Sequence, residues 1–242
     1  MIDRFQSNQL SESGFLLIKN HLSNPKVEAL RDRLEALWNS EGEAAGVENY
    51  LEPGTRRLAN LANKGDVFRQ IYADPLVLEA VHLIIGPEIR VSMVNARDAR
   101  PFGGTAMPFH CDTDQNRKPD ERGYNSATAI WMLDRFLKEN GATAIVPGSH
   151  RSGRSPKESL VDPAAVHPDE VIVLGEPGDV LVFNGHCWHA GRPNRTSGQR
   201  RAILVHYLRA DIPRELNRRQ VLDSEAAARL TPLEGELLGL RD

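Results

Sequence analysis

Residues 177–208 read PGDVLVFNGHCWHAGRPNRTSGQRRAILVHYL. Two apolar runs rich in β-branched residues, 180–183 and 200–208, flank a stretch of Gly, Pro, Asn and His. Short runs of that kind bounded by turn formers read as strands joined by an irregular connection. The pattern extends upstream. Ile89, Val91, Met93 and Asn95 alternate and predict one face of a strand, and 127–133, 142–146 and 171–174 are further strand candidates. Turn clusters separate them at 101–104, 140–141, 147–148 and 176–179.

Ahead of residue 88 the period becomes helical. Asn24 as a cap, Pro25 at the first helical position, and Val27, Leu30, Leu34 and Leu37 at three- and four-residue spacing predict one helix. Asp74-Pro75 opens a second, carrying Leu78, Val81 and Ile85 and stopping at Gly86-Pro87. Phe15, Leu16, Leu17 and Ile18 predict a short strand before them, and 224–230 and 233–240 predict short terminal helices. This order predicts a mainly β protein with flanking helices: a double-sheet barrel braced on one side. With no repeat or low-complexity linker to divide it, the chain reads as one domain, 1–242. Its helical part covers about 1–87, the barrel about 88–210 and the C-terminal helices about 211–242.

Of the 242 residues, 40% are hydrophobic and 26% charged, which excludes a disordered or fibrous chain. No apolar run approaches the ~18 residues of a membrane span. The start, Met1-Ile2-Asp3-Arg4-Phe5, lacks the basic and apolar regions of a signal peptide, so a cytoplasmic location is expected. A net charge of −3 without a dense basic run argues against nucleic acid as the main partner. Two cysteines, Cys111 and Cys187, build no disulfide framework.

Both cysteines sit among histidines, in His110-Cys111-Asp112 and His186-Cys187-Trp188-His189. In an extended segment residues two apart face one side, so His110 and Asp112 can address one atom while Cys111 turns away. A third ligand from a distant strand would complete a two-histidine, one-carboxylate face, which suits non-haem Fe(II) because half the octahedron stays open. His186 and His189 compete for that place; three apart, they face opposite ways in an extended segment. Alternation likewise lets only one of Arg200 and Arg201 point inward. Structural zinc would call for C-x-x-C spacing, which is absent.

Three segments, MPFHCDTD (107–114), WMLDRFLKENGATAIVPGSHRSG (131–153) and the stretch 177–208, resemble the phytanoyl-CoA dioxygenase family. SESGFLLIKNHLSNPKVEALRDRL, 11–34, is similar to the opening strand and helix of the same family. The resemblance implies a double-stranded β-helix, of the jelly-roll or cupin-like kind. It also implies an enzyme using Fe(II), 2-oxoglutarate and O2, with ascorbate supportive, that releases succinate and CO2 and hydroxylates its substrate. Carried over, His110, Asp112 and His189 become the metal ligands and the catalytic centre. The frame of His189, Gly191, Asn194 and Arg200 selects His189 over His186 and Arg200 over Arg201, with Arg200 as anchor of the cosubstrate's distal carboxylate. The resemblance also points to Asn95 and Thr128 as cosubstrate contacts. Gly191 departs from the family, which commonly has a serine there. The other reading of the residues is a non-redox cupin-like isomerase or small-molecule binding module.

His21, His82, His167 and His206 read as surface or packing residues, and His150 closes a turn. Substrate contacts are expected from 97–107, from the polar loop 113–125 and from 151–168. A chain short for the family predicts a small or medium-sized metabolite. Nothing in the sequence indicates an oligomeric state.

Overall fold

The computed structural model describes residues 1–48, 52–112, 119–213 and 222–240. Nine strands are present among them: β1 (Phe15–Ile18), β2 (Thr55–Leu58), β3 (Ile89–Ala99), β4 (Ser126–Met132), β5 (Ala144–Ile145), β6 (Val171–Ile172), β7 (Val180–Asn184), β8 (His189–Ala190) and β9 (Arg200–Arg209). They form two antiparallel sheets, one in the order β1-β7-β4-β9-β3-β2 and one in the order β6-β5-β8. The expected double-sheet, jelly-roll architecture with flanking helices is the one observed.

The long sheet is buried on both faces, and alternation divides its side chains between two cores. Ala127, Ala129 and Trp131 of β4, Val180 and Val182 of β7, and Ile203, Val205 and Tyr207 of β9 face the helices. Ile130, Met132, Leu181, Phe183 and Ala202 face inward, toward Ile145 of the small sheet. The helical cover comes from both ends of the chain. Helices α1 (Arg4–Ser13), α2 (Asn24–Glu41), α3 (Arg69–Tyr72) and α4 (Pro75–Ile85) precede the sheet core, α5 (Pro156–Ser159) lies between strands, and α6 (Ser224–Ala228) and α7 (Pro232–Leu238) follow. Leu30 and Leu34 of α2, Val77 and Val81 of α4 and Leu237 of α7 enter one common core with the sheet.

Local sequence explains the helix ends. Asp74 accepts from the N–H groups of Leu76 and Val77, both at 3.0 Å, and caps α4 as expected. For α2 the N-cap is Ser23, one residue earlier than the expected Asn24, with the proline still in the first turn. The larger correction concerns β3. Its register against β9 shifts between Val91 and Met93. This bulge sends Ile89, Val91, Val94 and Ala96 to the helical core, so Ile89 and Val91 do not share a face with Met93 and Asn95. β2 was not anticipated: Thr55-Arg56-Arg57-Leu58 carries two arginines and lies at the sheet edge, where a charged strand carries little apolar signal. Of the polar loop, 113–118 lies outside the described residues.

Candidate metal centre and active-site cavity

His110 and His189 are joined backbone to backbone. Each N–H donates to the other's carbonyl at 3.0 Å, an isolated antiparallel bridge. A hydrogen-bonded pair of that type presents both side chains on one face, and the ring centroids lie 4.2 Å apart. Asp112, two residues beyond His110, returns to the same face, with its N–H bonded to the Gly185 carbonyl at 2.8 Å. A tight turn after β7 delivers β8: the Asn184 side chain accepts from His186 N–H at 3.0 Å, and the Ser149 hydroxyl accepts from Trp188 N–H at 2.8 Å. The Pro147-Gly148-Ser149 turn is therefore tied directly to the strand that carries His189.

The donor chemistry fits a divalent cation. Nδ1 of His110 lies 3.0 Å from the Pro108 carbonyl, and Nδ1 of His189 lies 3.0 Å from the Cys187 carbonyl. A carbonyl only accepts, so each Nδ1 carries its proton and each Nε2 is turned to the site. Asp112 Oδ1 is 3.4 Å from His189 Nε2, while Oδ2 accepts from the Thr128 hydroxyl at 2.5 Å. The three ligand atoms lie within 4.8 Å of one another. Metal bonds of about 2.1 Å put cis donors roughly 3 Å apart, so the Asp112–His189 pair at 3.4 Å is close to that spacing and the widest pair draws in on binding. Burial opposes both charged forms, but mutual attraction outweighs it. The Asp112 carboxyl, beside His189, His206 and His110, is held far below the usual carboxylate range, and His189 is raised by Asp112.

The face opens on a cavity of about 310 Å³. Arg200 lines it, 3% exposed, its Nε donating to the Asn140 carbonyl at 3.2 Å and its guanidinium 4.7 Å from the Phe136 ring centre. Burial, then neighbouring Arg97, lowers its pKa to about 9. No ion pair to Arg200 is present among the described residues. Arg201 faces the other way, held by Asp134 at 2.9 and 3.0 Å and by Glu35 at 3.2 Å.

His186 is not brought to the metal face. Its Nε2 lies 3.0 Å from Asn125 Oδ1, and burial, then His150, pushes its pKa down to about 4. Cys111 points to the His186 carbonyl at 3.4 Å, and burial raises both thiols to about 12, so neither offers a thiolate. Thr128 is in the site, but its hydroxyl goes to Asp112, the strongest acceptor within reach, a different task from the expected cosubstrate contact. Asn95 lies between Met93 and Arg97 on β3 but does not line the cavity; its Oδ1 accepts from the Asn60 N–H at 3.2 Å. Asn60 has φ of 55°, and the Asn95 amide braces that left-handed turn.

Several lining residues were not anticipated. His206, read as surface or packing, stands on the inner face of β9 with Arg200, Ala202 and Leu204. Strict alternation from Arg200 was the signal that could have found it. Phe183, Thr143 and Arg57 also line the cavity, while Arg97 and Met107, which line it too, fall within the expected stretch 97–107. Arg57 left no sequence signal, because its strand had none.

A jelly roll whose two sheets enclose a two-histidine, one-carboxylate face beside a buried arginine defines a non-haem iron oxygenase of the 2-oxoglutarate-dependent class. Residues 10–202 match the family model described as Phytanoyl-CoA dioxygenase (PhyH). The chain belongs to that family, and it is an Fe(II)- and 2-oxoglutarate-dependent dioxygenase. Among curated relatives, "Dioxygenase af480" of Aspergillus fumigatus is 31% identical over 96% of this chain and 75% of its own length. The "Ectoine dioxygenase" of Bordetella parapertussis is 24% identical over 85% of this chain and 74% of its own. Two solved structures share the fold. The non-heme alpha ketoglutarate dependent carbocyclase SnoK from nogalamycin biosynthesis has a TM-score of 0.70 at 22% identity, covering 95% of this chain and 91% of its own. HygX from Streptomyces hygroscopicus, crystallised with nickel, 2-oxoglutarate and hygromycin B, has a TM-score of 0.69 at 21% identity, covering 90% and 92%.

Proposed function

We propose that this dioxygenase hydroxylates a small or medium-sized metabolite, with His110, Asp112 and His189 as the metal ligands and Arg200 as anchor of the cosubstrate's distal carboxylate. The observation that supports this most is the convergence of the three ligand atoms within 4.8 Å on a cavity walled by a buried arginine with no acidic partner among the described residues. Iron bound there supplies the redox chemistry with dioxygen and 2-oxoglutarate that protein side chains lack.

The remaining tasks fall to the chain. The Pro108 and Cys187 carbonyls hold the imidazole tautomers that turn Nε2 to the metal. Thr128 fixes one carboxylate oxygen of Asp112, leaving the other to coordinate. Arg200 offers a planar fork to a carboxylate, a geometry that suits bidentate binding. Met93, Met107, Ile130 and Leu204 keep the cavity wall apolar and exclude water around the reacting C–H bond. Asn95 is left a structural role at the Asn60 turn.

A cytoplasmic setting is supported by the two unpaired thiols, Cys111 and Cys187. A small-molecule substrate is supported by the cavity beside the metal face, and the net charge of −3 does not favour nucleic acid. No helix among the described residues is long and apolar enough to cross a membrane.

The test is succinate release from 2-oxoglutarate with Fe(II), ascorbate and air across a metabolite panel, followed by mass detection of one added oxygen. Succinate release lost in His110→Ala and His189→Ala is the expected result. No succinate with any candidate would overturn the proposal.

A further inference from the structure

Three guanidinium groups face the cavity: Arg57 from β2, Arg97 from β3 and Arg200 from β9. Among the described residues near them two buried acids act on this group: Asp98, which is committed to Arg56 at 2.8 Å, and Glu52. Glu52, 3% exposed, is gripped by Arg97 through Nε at 3.0 Å and a terminal nitrogen at 2.7 Å, and accepts from the Thr105 N–H at 3.2 Å. Arg57 reaches the same carboxylate with a single nitrogen at 3.4 Å, and its buried Nε has no hydrogen-bond partner among the described residues. Burial, then Arg97, lowers the Arg57 pKa to about 10, the direction expected of a cation short of counter-charge.

Charge accounting separates these arginines from the cosubstrate. The two positive charges of a bound iron and the one of Arg200 are balanced by Asp112 and the two carboxylates of 2-oxoglutarate. Arg57, Arg97 and Glu52 are left with one positive charge in excess. A buried charge without a partner is costly, and an incoming anion relieves it. Arg200 is buried, whereas Arg57 is only half-buried. The excess charge therefore lies toward solvent rather than in the deepest part of the site.

We infer that the substrate carries a carboxylate, bound by Arg57 beside the Arg97–Glu52 pair, on an otherwise apolar small molecule. This rests on the function proposed above. The apolar body follows from Met93, Met107, Ile130, Phe183 and Leu204 in the remaining wall. A phosphate ester would bring about −1.5 to −2 charges against a single excess. A carboxylate matches it, and also matches the planar fork.

The experiment uses the full chain loaded with Ni(II), to prevent turnover, and saturated with 2-oxoglutarate. Hexanoate, hexanamide and hexyl phosphate are titrated by calorimetry. Hexanoate is expected to bind about tenfold or more tightly than hexanamide, as a charge-assisted pair requires, and more tightly than hexyl phosphate. Arg57→Gln should collapse the acid-over-amide preference, and Arg57→Lys should keep part of it. Equal binding of acid and amide in the wild-type protein would overturn the inference. So would a preference that Arg57→Gln leaves intact, or hexyl phosphate as the tightest ligand. If the protein takes up neither Ni(II) nor 2-oxoglutarate, the reading of the metal site fails instead. The same acid and amide titrated into metal-free wild-type and Arg57→Gln protein then decide the arginine pair by the same criterion.

Discussion

The Thr128 hydroxyl donates to Oδ2 of Asp112 at 2.5 Å, so a residue of β4 sets the rotation of a carboxylate on the segment after Phe109. The bond leaves Oδ1 toward His189 Nε2, 3.4 Å away. A carboxylate held at one oxygen presents the other without searching rotamers, which is how partners behind a ligand raise metal affinity.

Removing that hydroxyl at constant shape should therefore weaken the metal. Thr128→Val is expected to lower Fe(II) affinity by about 10- to 100-fold, while Thr128→Ser stays near wild type. Anaerobic Fe(II) or Co(II) titration reads the difference. Equal affinities for the Val and Ser variants would show that Asp112 needs no such brace.

His186 and His189 should separate cleanly. His189→Ala is expected to abolish stoichiometric metal binding. His186→Ala should keep it and instead lose about 1–3 kcal/mol of stability, because Asn125 Oδ1, 3.0 Å from His186 Nε2, is left buried without that donor. Metal titration beside urea unfolding distinguishes the two, and metal loss in His186→Ala alone would reverse the assignment.

Stability should decline in mild acid, and His186 should account for part of it. Burial, then His150, moves its pKa from 6.5 to about 4. Between those values the unfolded chain binds a proton that the folded chain refuses, so stability is full above the unfolded pKa and drains as pH falls toward the folded one. The gap is worth roughly 3 kcal/mol. His186→Gln keeps a donor for Asn125 but cannot titrate, so its unfolding free energy should vary less between about pH 6.5 and 4.5. An unchanged pH slope would assign the acid sensitivity to other groups.

Much of this was legible because alternation is a strong signal wherever a strand is buried on both faces. In β9 the inward set of Arg200, Ala202, Leu204 and His206 and the outward set of Ile203, Val205 and Tyr207 follow from period two alone. The same rule misplaced Ile89 and Val91, because one bulged residue in β3 reverses parity and leaves no mark in composition. The metal ligands were legible as a spacing on one side, His110 and Asp112, and as a resemblance on the other, His189. The Arg57–Arg97–Glu52 group was not, because Arg97 is far in sequence from the other two and Arg57 lies on an edge strand that reads as charged loop.

The Asn140-Gly141 turn has a physical reason for its form, and it yields the last prediction. The Asn140 carbonyl receives Arg200 Nε at 3.2 Å, while the Asn140 side chain ties the turn to itself through Leu137 N–H and the Arg135 carbonyl, at 2.8 and 2.7 Å. Gly141 follows with φ of 82°, and a Cβ there would lie 2.2 Å from the Arg192 carbonyl oxygen. An alanine would have to meet a left-handed conformation, worth about 1–2 kcal/mol, and push backbone against backbone as well. The turn must move, and the Arg200 guanidinium must move with it. Gly141→Ala is thus expected to weaken 2-oxoglutarate binding by about tenfold, since a displaced fork loses its bidentate geometry. Fe(II) binding in the absence of cosubstrate should remain close to wild type. Gly198→Ala is the matched control, because its Cβ would meet nothing nearer than the Thr196 hydroxyl at 3.9 Å. Equal cosubstrate affinity in the two alanine variants would show that Arg200 is held by its own strand rather than by the turn beneath it.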